Sequence, residues 1–301
     1  MKAVDLFAGC GGLSLGLEKA GINVISAFEN WEHAIKIYKQ NFNHDVHQCD
    51  LSNEKKAIEL IKKYKPDMIS GGPPCQDFSS AGKRDEKGGR GDLTLSFANI
   101  VIGVRPKWFL MENVDRIKTS LIFKKAKAKF TKAGYGLTEI VLDASLCNVP
   151  QKRKRMFLIG RENEVDDFLL NRITEKLNSK SITVREYLGD SLKTDYYYRH
   201  ARSYARRGIF SIDEPSPTIR GVNRPIPPDY KFHVGDATKS LSKVRPLTSV
   251  ERSYIQTFPK TFKWDGVNKS ILEQIIGNAV PVNLAKFVGM AILDYEKKHA
   301  K

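Results

Sequence analysis

Gly71-Gly-Pro-Pro-Cys-Gln76 carries the most chemical content in this chain: a lone cysteine on a proline turn directly after the apolar segment 68–70. Pro73 and Pro74 fix φ and withdraw two backbone donors, so the chain itself holds the Cys75 thiol in place. A thiol attacks only as its thiolate, and with an ordinary pKa near ~8.5 a small fraction is ionised at neutrality. A catalytic Cys75 therefore needs an ordered site and an electrophile that accepts sulfur; a buried cysteine closing a strand needs neither.

Two further groups could do chemistry. Glu112-Asn-Val114 follows the apolar segment 108–111, and a carboxyl group at the edge of an apolar pocket can share or donate a proton. Gln151-Lys-Arg-Lys-Arg155 precedes another apolar segment, with Arg153 and Arg155 on one side of an extended chain. Taken alone, that run reads equally as a solvated basic turn.

A third group suits a bound cofactor. In Asp5-Leu-Phe-Ala-Gly-Cys-Gly-Gly12, the residues Gly9, Gly11 and Gly12 let backbone approach a ligand and open a helix. The pyrophosphate fingerprint needs a third glycine where Ser14 stands, so NAD, FAD and S-adenosyl-L-methionine (AdoMet) all remain open. Glu29 and Asp50, at the ends of the next two apolar segments, are placed to accept hydrogen bonds from a ribose and an adenine amino group, and each reads equally as a solvated turn residue.

These residues need a scaffold, and the chain alternates short apolar runs with helical patterns up to about residue 160. Strands are expected at 3–7, 24–28, 46–48, 68–70, 108–111, 137–142 and 156–159, and helices at 12–20, 32–41, 55–64, 93–104 and 122–133. The expected fold is α/β, a Rossmann-like parallel sheet with helices on both faces that binds ligands at the carboxyl ends of its strands. From 161 to 246 the periodicity fails and Pro215, Pro217, Pro225, Pro227 and Pro228 crowd in, as in a small loop-rich domain. A helical signal resumes at Thr248, which has capping-box spacing to Glu251. The expected division is 1–162, 163–246 and 247–301, the last returning to the first.

The formal net charge of +16 implies a positive surface field that draws in a polyanion, nucleic acid first. The segment 193–207 interleaves Tyr196, Tyr197, Tyr198 and Tyr204 with Lys193, Arg199, Arg202, Arg206 and Arg207, and arginine both neutralises phosphates and reads guanine edges. The four cysteines, Cys10, Cys49, Cys75 and Cys147, have no CxxC spacing, which argues against disulfides and zinc; His44, His47 and Cys49 are too few to hold a metal. No apolar run is expected to approach the ~18 residues of a membrane span, and without a signal peptide the expected location is the cytoplasm, at the nucleoid in a bacterium.

Taken in order, Phe7-Ala-Gly-Cys-Gly-Gly12, Gly72-Pro-Pro-Cys-Gln76 with Phe78-Ser79, Glu112-Asn-Val114, Gln151-x-Arg153-x-Arg155 and Gly277-Asn-Ala-Val-Pro281 resemble the motif series of the bacterial-type DNA cytosine-5 methyltransferases. Glu251, Arg252 and Gln256-Thr-Phe-Pro259 resemble the segment before the last motif. The likeness covers nearly all of the chain outside 163–212.

The resemblance implies transfer of a methyl group from AdoMet to C5 of a cytosine flipped out of a short specific duplex sequence, through a covalent Cys75 adduct at C6. It gives Glu112 the N3 and 4-amino edge of the base, Arg155 the O2 and Arg153 the support of the active-site loop, while Asn113 braces the turn that carries Pro74. For AdoMet it implies stacking on Phe7, close approach at Gly9, Gly11 and Gly12, Glu29 on the ribose, Asp50 on the adenine, and Asn278 and Val280 as a far wall, with Asn30, Trp31, Leu51 and Pro73 in the same set. An aromatic residue commonly follows the ribose-binding glutamate directly; here Asn30 does, and Trp31 comes one later.

Ser79 and Arg90, in a mobile loop over the DNA, would reach phosphates or the vacated base position, and Gln151 belongs to the DNA-facing set. Recognition is expected from the short insert between Arg161 and Glu214, with Arg199, Arg202, Arg206 and Arg207 foremost and Thr218 and Arg220 securing that domain. The implied partners are double-stranded DNA and, functionally, a cognate restriction endonuclease, with the protein a monomer. Three alternatives stand: a tRNA cytosine-5 methyltransferase, a catalytically inactive DNA-binding protein, and an NAD-linked redox enzyme using Cys75. The last leaves the motifs at 112–114, 151–155 and 277–281 unexplained together.

Overall fold

A computed structural model of the chain describes residues 1–74, 93–201, 203 and 206–299. They form two compact units, one of 1–142, 154–177 and 285–301, the other of 143–153 and 178–284.

The first unit begins with β1 (Lys2–Leu6), α1 (Gly12–Ala20), β2 (Asn23–Glu29), α2 (Glu32–Lys39), β3 (Asp45–Gln48), α3 (Glu54–Lys62) and β4 (Met68–Gly71). It continues through α4 (Leu93–Val104), β5 (Trp108–Val114), α5 (Leu121–Lys132) and β6 (Tyr135–Asp143). After a short β7 (Gln151–Lys152), which lies in the second unit, β8 (Lys154–Glu162) and α6 (Leu170–Thr174) return to the first. Among the described residues the main sheet has seven strands in the order β3-β2-β1-β4-β5-β8-β6.

The expected strands and helices of the first 160 residues all form, but the sheet is not wholly parallel. Strands β1 to β5 pair in parallel, whereas β8 runs antiparallel to β5. A parallel return needs a crossover of a dozen or more residues, usually helical. Only residues 144–153 separate β6 from β8, and among them are a single 3-10 turn and β7, so the chain doubles back and slots between β5 and β6.

Packing explains two glycines of this sheet. Gly160 faces Phe109 across β5 and β8, and a Cβ there would come within 2.0 Å of the ring, which stacks on Phe130 at 4.0 Å. At Gly71 a Cβ would come within 2.6 Å of the Leu6 carbonyl on the neighbouring strand. The core around Val4, Leu6, Ile69, Phe97, Phe109, Met111 and Leu158 fixes the sheet whose strand ends carry the glycine-rich loop and the proline turn.

The second unit holds α7 (Val184–Leu188), β9 (Tyr196–Tyr198), β10 (Ile209–Ser211), β11 (Ser216–Pro217), β12 (Val244–Pro246), α8 (Ser249–Ile255) and α9 (Lys269–Asn278). Its sheets are small: β10-β9-β12, and β11 with β7. The expected capping box is present, with Thr248 accepting from the Glu251 amide and Glu251 from the Thr248 amide. The last helix, α10 (Val282–His299), belongs to the first unit from Ala285 onward.

The unit boundaries fall at 143, 154, 178 and 285: 163–177 packs with the main sheet, and 247–284 packs with the small sheets. The stretch Lys269–His299 is long and apolar enough by composition to cross a membrane, contrary to the expectation of no such run. Of its most apolar 18-residue window 67% is buried within the protein, and the stretch is broken between α9 and α10, as a core segment is.

Candidate active site

In the first unit the glycine-rich loop leaves β1 through Phe7, which takes φ +54°, a left-handed conformation unusual for a bulky side chain. Gly9 (φ +57°) and Gly11 (φ +90°) also need left-handed backbone. Their surroundings differ. Among the described residues a Cβ on Gly9 would meet nothing within 4 Å, whereas one on Gly11 would lie 2.3 Å from the Phe42 ring. Gly11 was expected to serve close ligand approach; on its Cβ side the demand for glycine comes from internal packing. Gly12 is the first residue of α1.

Glu29 terminates β2 and organises the neighbouring backbone. One carboxylate oxygen accepts from the Gly9 amide at 2.7 Å, the other from the amides of Asn30 and Trp31, each at 2.8 Å. Asn30 is exposed, and Trp31 is half-buried at the start of α2. Asp50 is exposed beyond β3, where its carboxylate accepts from the Ser52 amide, and Leu51 beside it is buried.

At the next strand ends, Asn113 Nδ2 donates to the Pro73 carbonyl at 2.8 Å and so ties the proline turn to β5. Glu112, on the other face of β5, is buried, and its carboxylate lies 2.9 Å from the Arg155 guanidinium. The antiparallel register sets Glu112 opposite Phe157 and Val114 opposite Arg155, so Glu112 and Arg155 are diagonal neighbours on one face. Gly72 borders this pair: a Cβ there would lie 3.2 Å from Glu112 Oε2. Pro74 is exposed at the end of the described turn. Cys75, Ser79 and Arg90 lie outside the described residues.

The remaining cysteines are unsuited to nucleophilic work. Cys10, Cys49 and Cys147 are buried and free, and burial pushes the thiols of Cys10 and Cys147 up to about 12 and that of Cys49 up as well. Among the described residues no three His, Cys, Asp or Glu side chains converge as metal ligands; His44 and His47 instead meet the hydroxyls of Tyr38 and Tyr64.

In the second unit Arg153 is 2% exposed and donates to the carbonyls of Ile219, Gly277 and Ala279. Gln151 is fully buried: its Nε2 donates to Gln256, its Oε1 accepts from the Ile219 amide, and Gln256 in turn donates to the Ile276 carbonyl. These two side chains hold the 217–220 turn and the 277–280 segment together. Gln151, expected to face DNA, has both ends of its amide engaged inside the unit, and Arg153 is a positioning residue there. Asn278 is exposed at the end of α9, and Val280 is buried.

The order of motifs on this sheet agrees with a direct comparison: the model of the C-5 cytosine-specific DNA methylases matches residues 1–294. The chain is a C-5 cytosine-specific DNA methylase. The methylase is 62% identical over 299 residues to the type II methyltransferase M.HindV of Haemophilus influenzae, covering 99% of this chain and 98% of that protein. It is 55% identical over 295 residues to M.HgiDI of Herpetosiphon aurantiacus, covering 98% and 95%. Among solved structures it resembles the S. pombe Dnmt2 methyltransferase, with a TM-score of 0.72 at 18% identity over 99% of this chain and 98% of that one, a likeness of fold alone. The methylase is thus a DNA (cytosine-5)-methyltransferase, and the RNA, redox and inactive-binder alternatives are not favoured.

The basic, tyrosine-rich segment of the methylase is more structural than its composition suggested. Tyr197 and Tyr198 are buried in β9, one stacked on Phe210 and the other edge-on to Tyr230. Arg199 donates to the Thr218 carbonyl, and Arg220 to the His200 carbonyl. Arg207, expected to read DNA, pairs with Glu214, donates to the Gly235 carbonyl and lies 4.2 Å from the Phe210 ring centroid. Arg206 is exposed, and Arg202 and Tyr204 lie outside the described residues.

The sequence reading missed Asp236, whose carboxylate accepts from the amides of Gly208, Ile209 and His233 and from the Tyr230 hydroxyl, anchoring the segment after Arg206 and Arg207. It also missed Asp5 and Tyr38 beneath the glycine-rich loop. Asp5 stood in a quoted motif and gave a signal; Tyr38 and Asp236 gave none.

Proposed function

We propose that the methylase transfers a methyl group from AdoMet to C5 of a cytosine flipped out of duplex DNA, with Cys75 as the nucleophile, and that it is the modification half of a type II restriction–modification pair. The observation that carries the site assignment is the Glu112–Arg155 pair beside Gly72 and the Asn113-braced proline turn.

The residues present fit AdoMet: the loop is left-handed and open at Gly9, with a carboxylate at Glu29 and exposed polar groups at Asn30 and Asp50. Bound there, AdoMet supplies an electrophilic methyl group. Phe7, Gly9, Glu29, Trp31, Asp50, Leu51 and Pro73 would hold it from the first unit, and Asn278 and Val280 are the second unit's candidates.

Cytosine C5 is a weak nucleophile until a group adds at C6. The Cys75 thiolate would form a bond to C6 while Glu112 holds the N3 edge and favours a proton there, leaving electron density at C5. Arg155, already fixed by Glu112, would contact O2 and exclude the opposite orientation of the base. After methyl transfer, loss of the C5 proton restores the double bond and expels the thiolate. Extrusion of the base costs a few kcal/mol, which pocket and backbone contacts must offset.

Arg206, Arg199 and Arg220 are the described candidates for DNA contact. The relatives are named type II methyltransferases, which supports a modification role alongside a restriction endonuclease. Action as a monomer in the cytoplasm completes the proposal.

The test is transfer of tritiated methyl from AdoMet into unmethylated genomic DNA, with total tRNA in parallel and Cys75→Ala as control, followed by bisulfite sequencing. Label in DNA that disappears in the variant supports methyl transfer to cytosine C5 through Cys75. Label in tRNA alone, or label that survives Cys75→Ala, overturns it.

A further inference from the structure

Behind the glycine-rich loop lies a buried polar chain that the methyl-transfer chemistry does not use. Asp5, fully buried in β1, accepts from the hydroxyls of Ser14 on α1 at 2.5 Å and Ser70 on β4 at 2.8 Å. The Tyr38 hydroxyl on α2 donates to Ser14 at 2.8 Å and lies 2.7 Å from His44 Nε2. His44 Nδ1 is in turn 3.4 Å from Glu18 at the surface.

The Tyr38 ring also has a steric role. It stacks on Phe42 with centroids 4.2 Å apart, and these two rings are what a Cβ on Gly11 would strike, at 2.9 and 2.3 Å. The loop is thus held on two sides: Glu29 binds the Gly9 amide, and Tyr38 with Phe42 backs Gly11. The hydroxyl bond to Ser14 fixes where the Tyr38 ring stands relative to the start of α1. Burial holds the Tyr38 hydroxyl well above its ordinary pKa, so it remains a donor.

We infer that Tyr38 is a positioning residue for the cofactor loop, which it presets through its bond to Ser14 and its packing behind Gly11. Tyr38 is fully buried and acts through Ser14 and Gly11. Its contribution is to order the loop before AdoMet arrives, so that binding need not supply the ordering. The inference rests on the AdoMet assignment above.

The test uses the full chain and its Tyr38→Phe variant, which keeps the ring and removes only the hydroxyl, with Ser14→Ala and the double variant beside it. AdoMet affinity is measured by calorimetry, kcat and KM for AdoMet by methyl transfer, and Tm by melting without ligand. The expected result for Tyr38→Phe is a rise of about tenfold in Kd and KM for AdoMet with kcat at saturation within about twofold of wild type, and a double variant whose loss is less than additive, since both substitutions break the Tyr38–Ser14 bond. A Tyr38→Phe protein that binds AdoMet as wild type does would overturn the positioning role and leave the cofactor assignment standing. A lower Tm with unchanged Kd would reduce Tyr38 to a core residue and overturn the role likewise. Wild type that fails to bind AdoMet at all would overturn the cofactor assignment, and this inference with it.

Discussion

Asn113 Nδ2 donates to the Pro73 carbonyl at 2.8 Å, across two parallel strands of the main sheet, and fixes the turn immediately before Cys75. The proline turn is stiff by itself, and this bond, with the pairing of Gly71 and Met111, sets its height relative to β5 and Glu112. Asn113→Ala should cost about 1–3 kcal/mol of stability by leaving a buried carbonyl unpaired. Methyl transfer should fall further than the melting temperature explains. Calorimetric melting and single-turnover rates on one preparation check this, and a rate unchanged from wild type would rule the brace out.

Glu112 and Arg155 form a largely buried pair 2.9 Å apart, so each substitution removes an ion-pair partner from the other. Glu112→Gln should lower kcat by about 10²–10⁴-fold, the range for loss of a positioned proton-transfer group. Arg155→Met should lower activity too, and the double variant should be less than additive. Single-turnover kinetics over the four proteins decides; additive losses would show that the two residues act separately.

Gly9 and Gly11 should separate ligand space from packing. Gly11→Ala combines a left-handed φ with a 2.3 Å approach to Phe42, so it should destabilise the protein by about 1–3 kcal/mol. Gly9→Ala meets none of the described residues within 4 Å and should cost only about 1 kcal/mol of fold while weakening AdoMet binding. Denaturation alongside AdoMet titration distinguishes the two, and equal effects of both on folding would refute the contrast.

Asp5 should leave a mark on stability against pH. Burial raises its carboxyl from 3.8 to about 6, opposed by the Ser14 and Ser70 hydroxyls and by His44, with Glu29 adding to the rise. The native state therefore holds this proton more tightly than the unfolded chain, and its contribution to stability is present below pH ~4 and lost as pH rises through ~6. Asp5→Asn cannot ionise, so its stability relative to wild type should improve by up to about 3 kcal/mol between pH 4 and pH 7. Urea denaturation at the two pH values tests the sign; a pH-independent difference would refute it.

Arg206 and Arg207 are adjacent in sequence and should behave differently. Arg206 is exposed, so Arg206→Ala should leave melting unchanged and reduce the slope of log K against log salt for DNA by about one. Arg207 pairs with Glu214 and packs on Phe210, so Arg207→Ala should chiefly lower the melting temperature of the second unit. Equal salt slopes for the two variants would count against this division.

Strand and helix positions in the first 160 residues were legible because each apolar run has the length and period of its element, and because Gly11 and Gly21 mark the ends of α1. The family was legible as well, since its motifs are short and local. Sequence by itself therefore determined the α/β class, the order of the motifs and the residues that bear reactive groups. It could not determine the direction of β8, which follows from the length of the link after β6, nor the unit boundaries, which follow from long-range packing of 163–177 and 247–284. Only the tertiary structure separated Arg153 and Gln151, whose side chains are spent on carbonyls and amides of distant segments, from Arg155, which reaches Glu112 across two strands. Local chemistry fixes what a side chain can do, whereas a hydrogen bond spanning 66 or 124 residues exists only once the fold has brought its ends together.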